Sequence, residues 1–115
     1  MKPMKLSEII DKIFEHPVLY IGSKSVDRAF MFVCGYSFAL QQTKIDWKDN
    51  LEEGFSTWAC RKFGVSPTHS WASVCTFHSV DEAGGFDLAK KLWEQYKAEM
   101  KKSGIQETEI RNSDN

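Results

Sequence analysis

Apolar residues recur along this chain at the three- and four-residue spacing of amphipathic helices, and short polar, proline or glycine-containing stretches interrupt them. The first apolar face consists of Ile9, Ile10, Ile13 and Phe14. Ser7 is placed to cap this helix, and His16-Pro17 is placed to stop it, because the residue before a proline is pushed out of the α region. Val18 to Gly22 then predicts an extended apolar connector.

A second helix is predicted from Ser25, a capping residue, with Asp27 in its first turn. Apolar residues cover most of its circumference: Val26, Ala29, Phe30, Phe32, Val33, Tyr36, Phe38, Ala39 and Leu40. Such a helix is expected to be surrounded by others, so we place it at the centre of the fold. Gly35 in its middle costs about 1 kcal/mol relative to alanine, and we expect a neighbouring helix or ring to approach it closely.

A third helix is predicted after Asn50, with Gly64 at the left-handed position beyond its end. Its apolar stripe consists of Leu51, Phe55, Trp58, Ala59 and Phe63. Residues 70–78 suit either a strand or a helix. A helix is favoured, because the sequence offers no second strand to pair with it.

Asp81 is placed to cap a last helix, which Gly104 is expected to close. Its recurring apolar residues are Phe86, Leu88, Ala89, Leu92, Trp93, Tyr96 and Met100. The polar residues 105–115 predict a disordered C-terminal tail. The whole pattern therefore predicts an all-α protein: one domain over residues 1–104, a bundle of about five helices with short connections.

Composition narrows the class of function. The 115 residues suit a single domain, and a formal net charge of −1 provides no basic field for nucleic acid. The N-terminus is charged but is followed by no apolar signal region, and no apolar run approaches the roughly 18 residues of a membrane span. A cytoplasmic protein without membrane or nucleic-acid partners is expected. Three cysteines form no disulfide framework and are assigned to packing.

The residues closest to a metal or nucleophile site are Cys60, His69, Cys75 and His78. Zinc modules usually place a close cysteine pair on a tight turn, whereas only Cys75 and His78 are close here. A Cys–His nucleophile is also disfavoured, because the apolar run around Cys75 would raise the pKa of its thiol. Buried thiols and ordinary imidazoles are the better interpretation.

Carboxylates at the start of the third helix could be nominated for acid–base catalysis: Asp46, Asp49, Glu52 and Glu53. Capping and the helix dipole already explain acidic residues at that place. We therefore predict no catalytic residue, no metal and no cofactor. The sequence indicates a binding protein rather than an enzyme.

Several motifs of this chain resemble those of a family of small bacterial proteins. They are His16-Pro17-Val18-Leu19-Tyr20-Ile21-Gly22, Ser25, Phe30, Gly35-Tyr36, Phe38-Ala39, Phe55-Ser56-Thr57-Trp58 and Ser70-Trp71-Ala72. In that family a short helix, a Pro-x-x-Tyr-x-Gly turn and a helix with Gly-Tyr-x-x-Ala precede a Phe-x-x-Trp helix. The resemblance covers about residues 6–98. The family looks like the immunity proteins of polymorphic toxin and contact-dependent growth inhibition systems.

The resemblance implies a protein that binds one cognate toxin domain in the cytosol and blocks its active site or its access to substrate. If the toxin is a nuclease with a basic groove, an acidic surface with aromatic anchors would complement it. The best such patch consists of Asp46, Trp47, Asp49, Glu52 and Glu53, and Asp81 and Glu82 form a second. A solvated helix end explains the same residues about as well. The alternative function is a small helical adaptor or regulatory domain for another protein partner.

Overall fold

A computed structural model describes residues 4–43 and 51–114, with side chains for residues 4–43 and 54–102. The described residues form six α-helices. In chain order the helices are α1 (Leu6–Glu15), α2 (Pro17–Ile21), α3 (Val26–Thr43), α4 (Leu51–Phe63), α5 (Trp71–Phe77) and α6 (Glu82–Asp114). No strand occurs in the described ranges. The predicted all-α single domain is confirmed, with one helix more than expected.

The first helix begins earlier than the sequence predicted. Lys5, not Ser7, precedes its first turn, and the backbone N–H of Lys5 donates to Glu8 Oε1 at 3.2 Å. This contact satisfies the backbone ahead of Leu6, so Ser7 lies inside the helix. The predicted apolar face is confirmed, because Leu6, Ile9, Ile10, Ile13 and Phe14 are all buried.

The predicted extended connector is wrong, because residues 17–21 form the short helix α2. Pro17 occupies its first turn, where a missing backbone N–H has no cost. Gly22 ends the helix with φ +85°, and its N–H donates to the carbonyls of Pro17 and Val18 at 3.1 Å each. The chain therefore changes direction at His16-Pro17, between the end of α1 and the start of α2.

The third helix buries one face and exposes the opposite one. Ser25 Oγ accepts the N–H of Arg28 at 3.2 Å, which confirms the predicted cap. Its buried residues are Val26, Ala29, Val33 and Leu40. Met31 and Phe38, seven residues apart, are 67% and 57% exposed, so the expectation of a helix surrounded on all sides is wrong.

Gly35 lies on this outer side of α3. A Cβ built on it would have no heavy atom within 4 Å, so no neighbouring helix or ring approaches it, in contrast to the prediction. Side chains at positions 31, 35 and 38 share one face of a helix, because they are separated by four and three residues. Met31, Gly35 and Phe38 therefore form one stripe, called here the α3 outer face.

An aromatic cluster joins five of the six helices. Phe55 of α4 lies within 5.5 Å of the ring centre of Trp71 in α5 and 5.2 Å of Trp93 in α6. Trp71 also meets Phe30 of α3 at 5.4 Å, and Phe14 of α1 meets Phe86 of α6 at 5.3 Å. Three of these four contacts are edge-to-face and that of Phe55 with Trp71 is tilted, and aromatic contacts at these separations add to the stabilisation from buried area.

The second half of the chain follows the predicted boundaries until its end. Gly64 has φ +66° after α4. Ser70 Oγ accepts the N–H of Ser73 at 3.0 Å, so residues 71–77 are the helix that was favoured over a strand. Asp81 Oδ1 accepts the N–H of Gly84 at 2.7 Å and caps α6 as predicted.

The last helix does not close at Gly104 but continues to Asp114. A glycine inside a helix costs only about 1 kcal/mol, whereas each further residue adds a backbone hydrogen bond, so one glycine does not by itself end a helix.

Candidate functional site

The cysteines and histidines do not assemble into a reactive centre. Cys60 is buried and its Sγ lies 3.2 Å from the carbonyl of His69, to which it donates. Burial raises the pKa of the Cys75 thiol to about 12, which keeps it protonated and unreactive. His78 stacks on Phe63 with ring centres 4.4 Å apart. In the described part of the chain, no group of three or more His, Cys, Asp or Glu residues is placed to hold a metal ion.

The side chains of the first predicted binding patch lie outside the described set. Asp46, Trp47 and Asp49 lie outside the described residues. Glu52 and Glu53 belong to the first turn of α4, and their side chains are likewise outside the described set. This patch stays a prediction.

The second predicted patch, Asp81 and Glu82, lies where α6 begins beside the start of α3. Asp81 is exposed and serves as the cap of α6. Glu82 Oε2 accepts the hydroxyl of Ser25 at 2.5 Å and the N–H of Asp27 at 3.4 Å. Glu82 therefore links two helix starts and remains exposed at the surface.

A second carboxylate, that of Asp27, belongs to the same group. The hydrogen bond from Ser25 lowers the pKa of Glu82, the largest cause among several. Desolvation and the neighbouring Glu82 carboxylate raise the pKa of Asp27. These opposite shifts are what two adjacent carboxylates produce when one is better hydrogen-bonded than the other. Sequence reasoning missed Asp27 as a surface residue, because its place in a first turn explained it fully.

The basic side chains next to this acidic group have other partners. Lys24 Nζ pairs with Asp87 at 2.7 Å. Arg28 donates from its guanidinium to the carbonyl of Ile21 at 3.1 Å. Among the described residues, the carboxylates of Asp27 and Glu82 therefore have no basic partner and form an exposed negative end, called here the acidic end of α3.

The α3 outer face meets this acidic end at a shallow depression between α2 and α3. The depression is lined by Tyr20, Ile21, Asp27, Arg28, Met31 and Phe32. Val18 and Leu19 of α2 are also exposed, at 71% and 75%. Apolar side chains of this size are seldom left together at the surface of a protein without a partner. An apolar surface with an acidic end is the strongest candidate site among the described residues.

Another apolar area lies at the end of α5 and just beyond it, where Phe77 and Val80 are 82% and 102% exposed. A small pocket beside Phe77 is lined by Val65, His69, Ser73, Val74 and His78. Its described lining contains two imidazoles and no carboxylate, lysine or arginine. This pocket therefore offers fewer charged groups that could select a partner than the α3 outer face and its acidic end do.

Sequence reasoning did not find the α3 outer face, since the apolar residues of α3 were all assigned to the core. The available signal was Gly35 between Met31 and Phe38, because a helix interior rarely keeps a glycine without a packing reason.

Compared with known proteins, the chain matches no family model, no curated protein and no solved structure. Among the described residues, none of the helices has both the length and the apolar character needed to cross a membrane.

Proposed function

We propose that this protein is a cytosolic immunity protein, which binds one cognate toxin domain and neutralises it without catalysis of its own. The observation that carries the proposal is the α3 outer face, an apolar stripe exposed beside the acidic end at Asp27 and Glu82. The motif resemblance over residues 6–98 supplies the biological role.

The chemistry of the surface fits a protein partner. Exposed Met and Phe side chains supply area that is desolvated on binding, and large apolar residues at the centre of an interface dominate its affinity. The neighbouring carboxylates supply a field that would accelerate association with a basic surface, such as the substrate groove of a nuclease. Blocking that groove needs only tight binding.

A growth assay tests the proposal. The C-terminal domain encoded by the gene immediately upstream is induced in a bacterial host, with or without this protein. We expect induction to arrest growth and coexpression of this protein to restore it. Arrest that persists despite normal expression of this protein, or an upstream domain without toxicity, would contradict the proposal.

The predicted patch on α4 needs its own test. Asp49, Glu52 and Glu53 are reversed together to lysine, and binding to the purified domain is measured at two salt concentrations. If the patch contributes, association slows at low salt, and the difference from the unmodified protein shrinks at high salt. An unchanged association rate in low salt, with a normal thermal melt, removes the patch from the interface.

If this protein does not bind the purified toxin domain but binds another protein specifically, its function is that of an adaptor.

A further inference from the structure

We infer that the toxin domain contributes a helix, which crosses α3 at Gly35 and directs a basic side chain toward Asp27 and Glu82. The inference rests on the function proposed above and names the part of the partner that occupies this surface.

Gly35 provides the first argument. A glycine in the middle of a helix is destabilising relative to alanine, and among the described residues nothing requires it, because a Cβ at position 35 would have no heavy atom within 4 Å. An exposed helix position without a side chain leaves room for a contact from outside the chain. Small residues let two helix backbones approach more closely than the usual separation of about 8–10 Å.

Met31 and Phe38 provide the second argument. They flank Gly35 along the helix and are 67% and 57% exposed, so together the three residues form a notch between two large apolar side chains. A ridge of side chains on another helix fits such a notch, since helices pack by placing ridges into grooves. An added strand is excluded at this site, because the backbone groups in the interior of α3 are already bonded within the helix.

The acidic end orients the partner. Asp27 lies two turns before Gly35 on the same side of α3 and borders the depression that contains Met31. Lys24 and Arg28 are already engaged with Asp87 and with the carbonyl of Ile21. Among the described residues no cation is paired with these two carboxylates, so a lysine or arginine on the partner helix would meet both without displacing one.

Substitution at Gly35 tests the crossing point. The probe is the purified upstream-encoded toxin domain, inactivated by mutation, with the dissociation constant measured by calorimetry. We expect Gly35→Gln to weaken binding by about tenfold or more, since it fills the notch at the centre of the interface. Ala98→Gln, which adds the same side chain at an exposed position of α6, is the control and should change binding by less than about twofold.

Two further measurements test the identity of the occupant. Asp27→Asn should slow association at low salt and have less effect at high salt. Hydrogen exchange on the toxin domain should show protection by this protein in a helical segment that contains a lysine or arginine. Protection confined to a loop or strand overturns the inference.

The outcomes separate the inference from the proposed function. If the unmodified protein neither binds nor protects, the function fails. If it binds and Gly35→Gln binds equally well, only the inference fails. Light scattering that shows a dimer, converted to a monomer by Gly35→Gln, would mean that a second copy covers the face and would also overturn the inference.

Discussion

At the scale of single residues, exposure distinguishes two phenylalanines of α3 that the sequence pattern treats alike. The ring of Phe30 is half-buried and lies 5.4 Å from the ring of Trp71, whereas Phe38 is 57% exposed. We expect Phe30→Ala to lower the free energy of unfolding by about 3 kcal/mol and Phe38→Ala by less than about 1 kcal/mol. Urea denaturation of both variants measures the difference. Equal losses would mean that Phe38 packs in the folded core.

The hydroxyl of Ser25 makes two hydrogen bonds: it accepts the one that caps α3, and it donates one to Glu82. We expect Ser25→Ala to lower stability by about 1 kcal/mol through loss of the cap. The variant should also raise the pKa of Glu82, because the hydrogen bond that lowers this pKa is removed. The carboxylate titration of Glu82, followed by NMR, measures the shift. The conservative variant Ser25→Thr keeps the hydroxyl and should retain the lowered value.

The pKa shifts of Glu82 and Asp27 determine how the stability of the folded state changes with pH. A lowered pKa for Glu82 stabilises the folded state at pH values above the ordinary glutamate range, and this contribution is lost as the pH falls through the lowered value. The raised pKa of Asp27 acts in the opposite direction, because it favours the protonated form in the folded state. The two carboxylates therefore need to be titrated separately, since their effects on overall stability oppose each other.

At the scale of helices, the same substitution should have opposite effects at two glycines. Gly22 ends α2 with φ +85°, where a Cβ is strained and would also lie 3.0 Å from Arg28 Nη1. We expect Gly22→Ala to destabilise the protein by at least about 1 kcal/mol and Gly35→Ala to stabilise it by about 0.4–1 kcal/mol. Thermal melts of the two variants give the signs. A stabilising Gly22→Ala would show that α2 does not require this turn.

The helices differ in how well the sequence predicts them. Ser25 and Asp81 are predicted as capping residues and do cap α3 and α6, because capping depends on local contacts. Ser70 caps α5 in the same way, although this role was not predicted from the sequence. The helix α2 escaped prediction, since five residues are too few to show a helical period.

Predicting which face of α3 is buried needed information from the rest of the chain. Apolar residues occur around most of that helix, so periodicity could not show that Met31 and Phe38 face outward. Long-range polar contacts are equally hidden. Asp11 Oδ1 accepts a hydrogen bond from Trp93 Nε1 at 2.7 Å, although the two residues are 82 positions apart in the sequence. The sequence around either residue does not indicate this contact.

At the scale of the whole molecule, the buried side chains that the structure describes in α6 all come before position 97. Tyr96 is 7% exposed, and Met100 only packs against the edge of the core. We expect truncation after Gly104 to leave the melting temperature within about 2 °C, which corresponds to no more than about 0.5 kcal/mol for a domain of this size. Calorimetry of the full and shortened chains makes the comparison. A large drop would mean that residues 105–115 dock against the fold.

The aromatic cluster also gives the molecule a built-in optical probe. Trp71 and Trp93 are both 1% exposed, and each lies in ring contact with Phe55. Within the described part of the chain, the indole N–H of Trp71 has no hydrogen-bond partner, and such an apolar environment shifts tryptophan emission toward the blue. Because the rings around these indoles come from α1, α3, α4, α5 and α6, their emission should move to the red only when the junction of those helices opens. Fraying of α2 would change far-ultraviolet circular dichroism and leave the emission colour as it was.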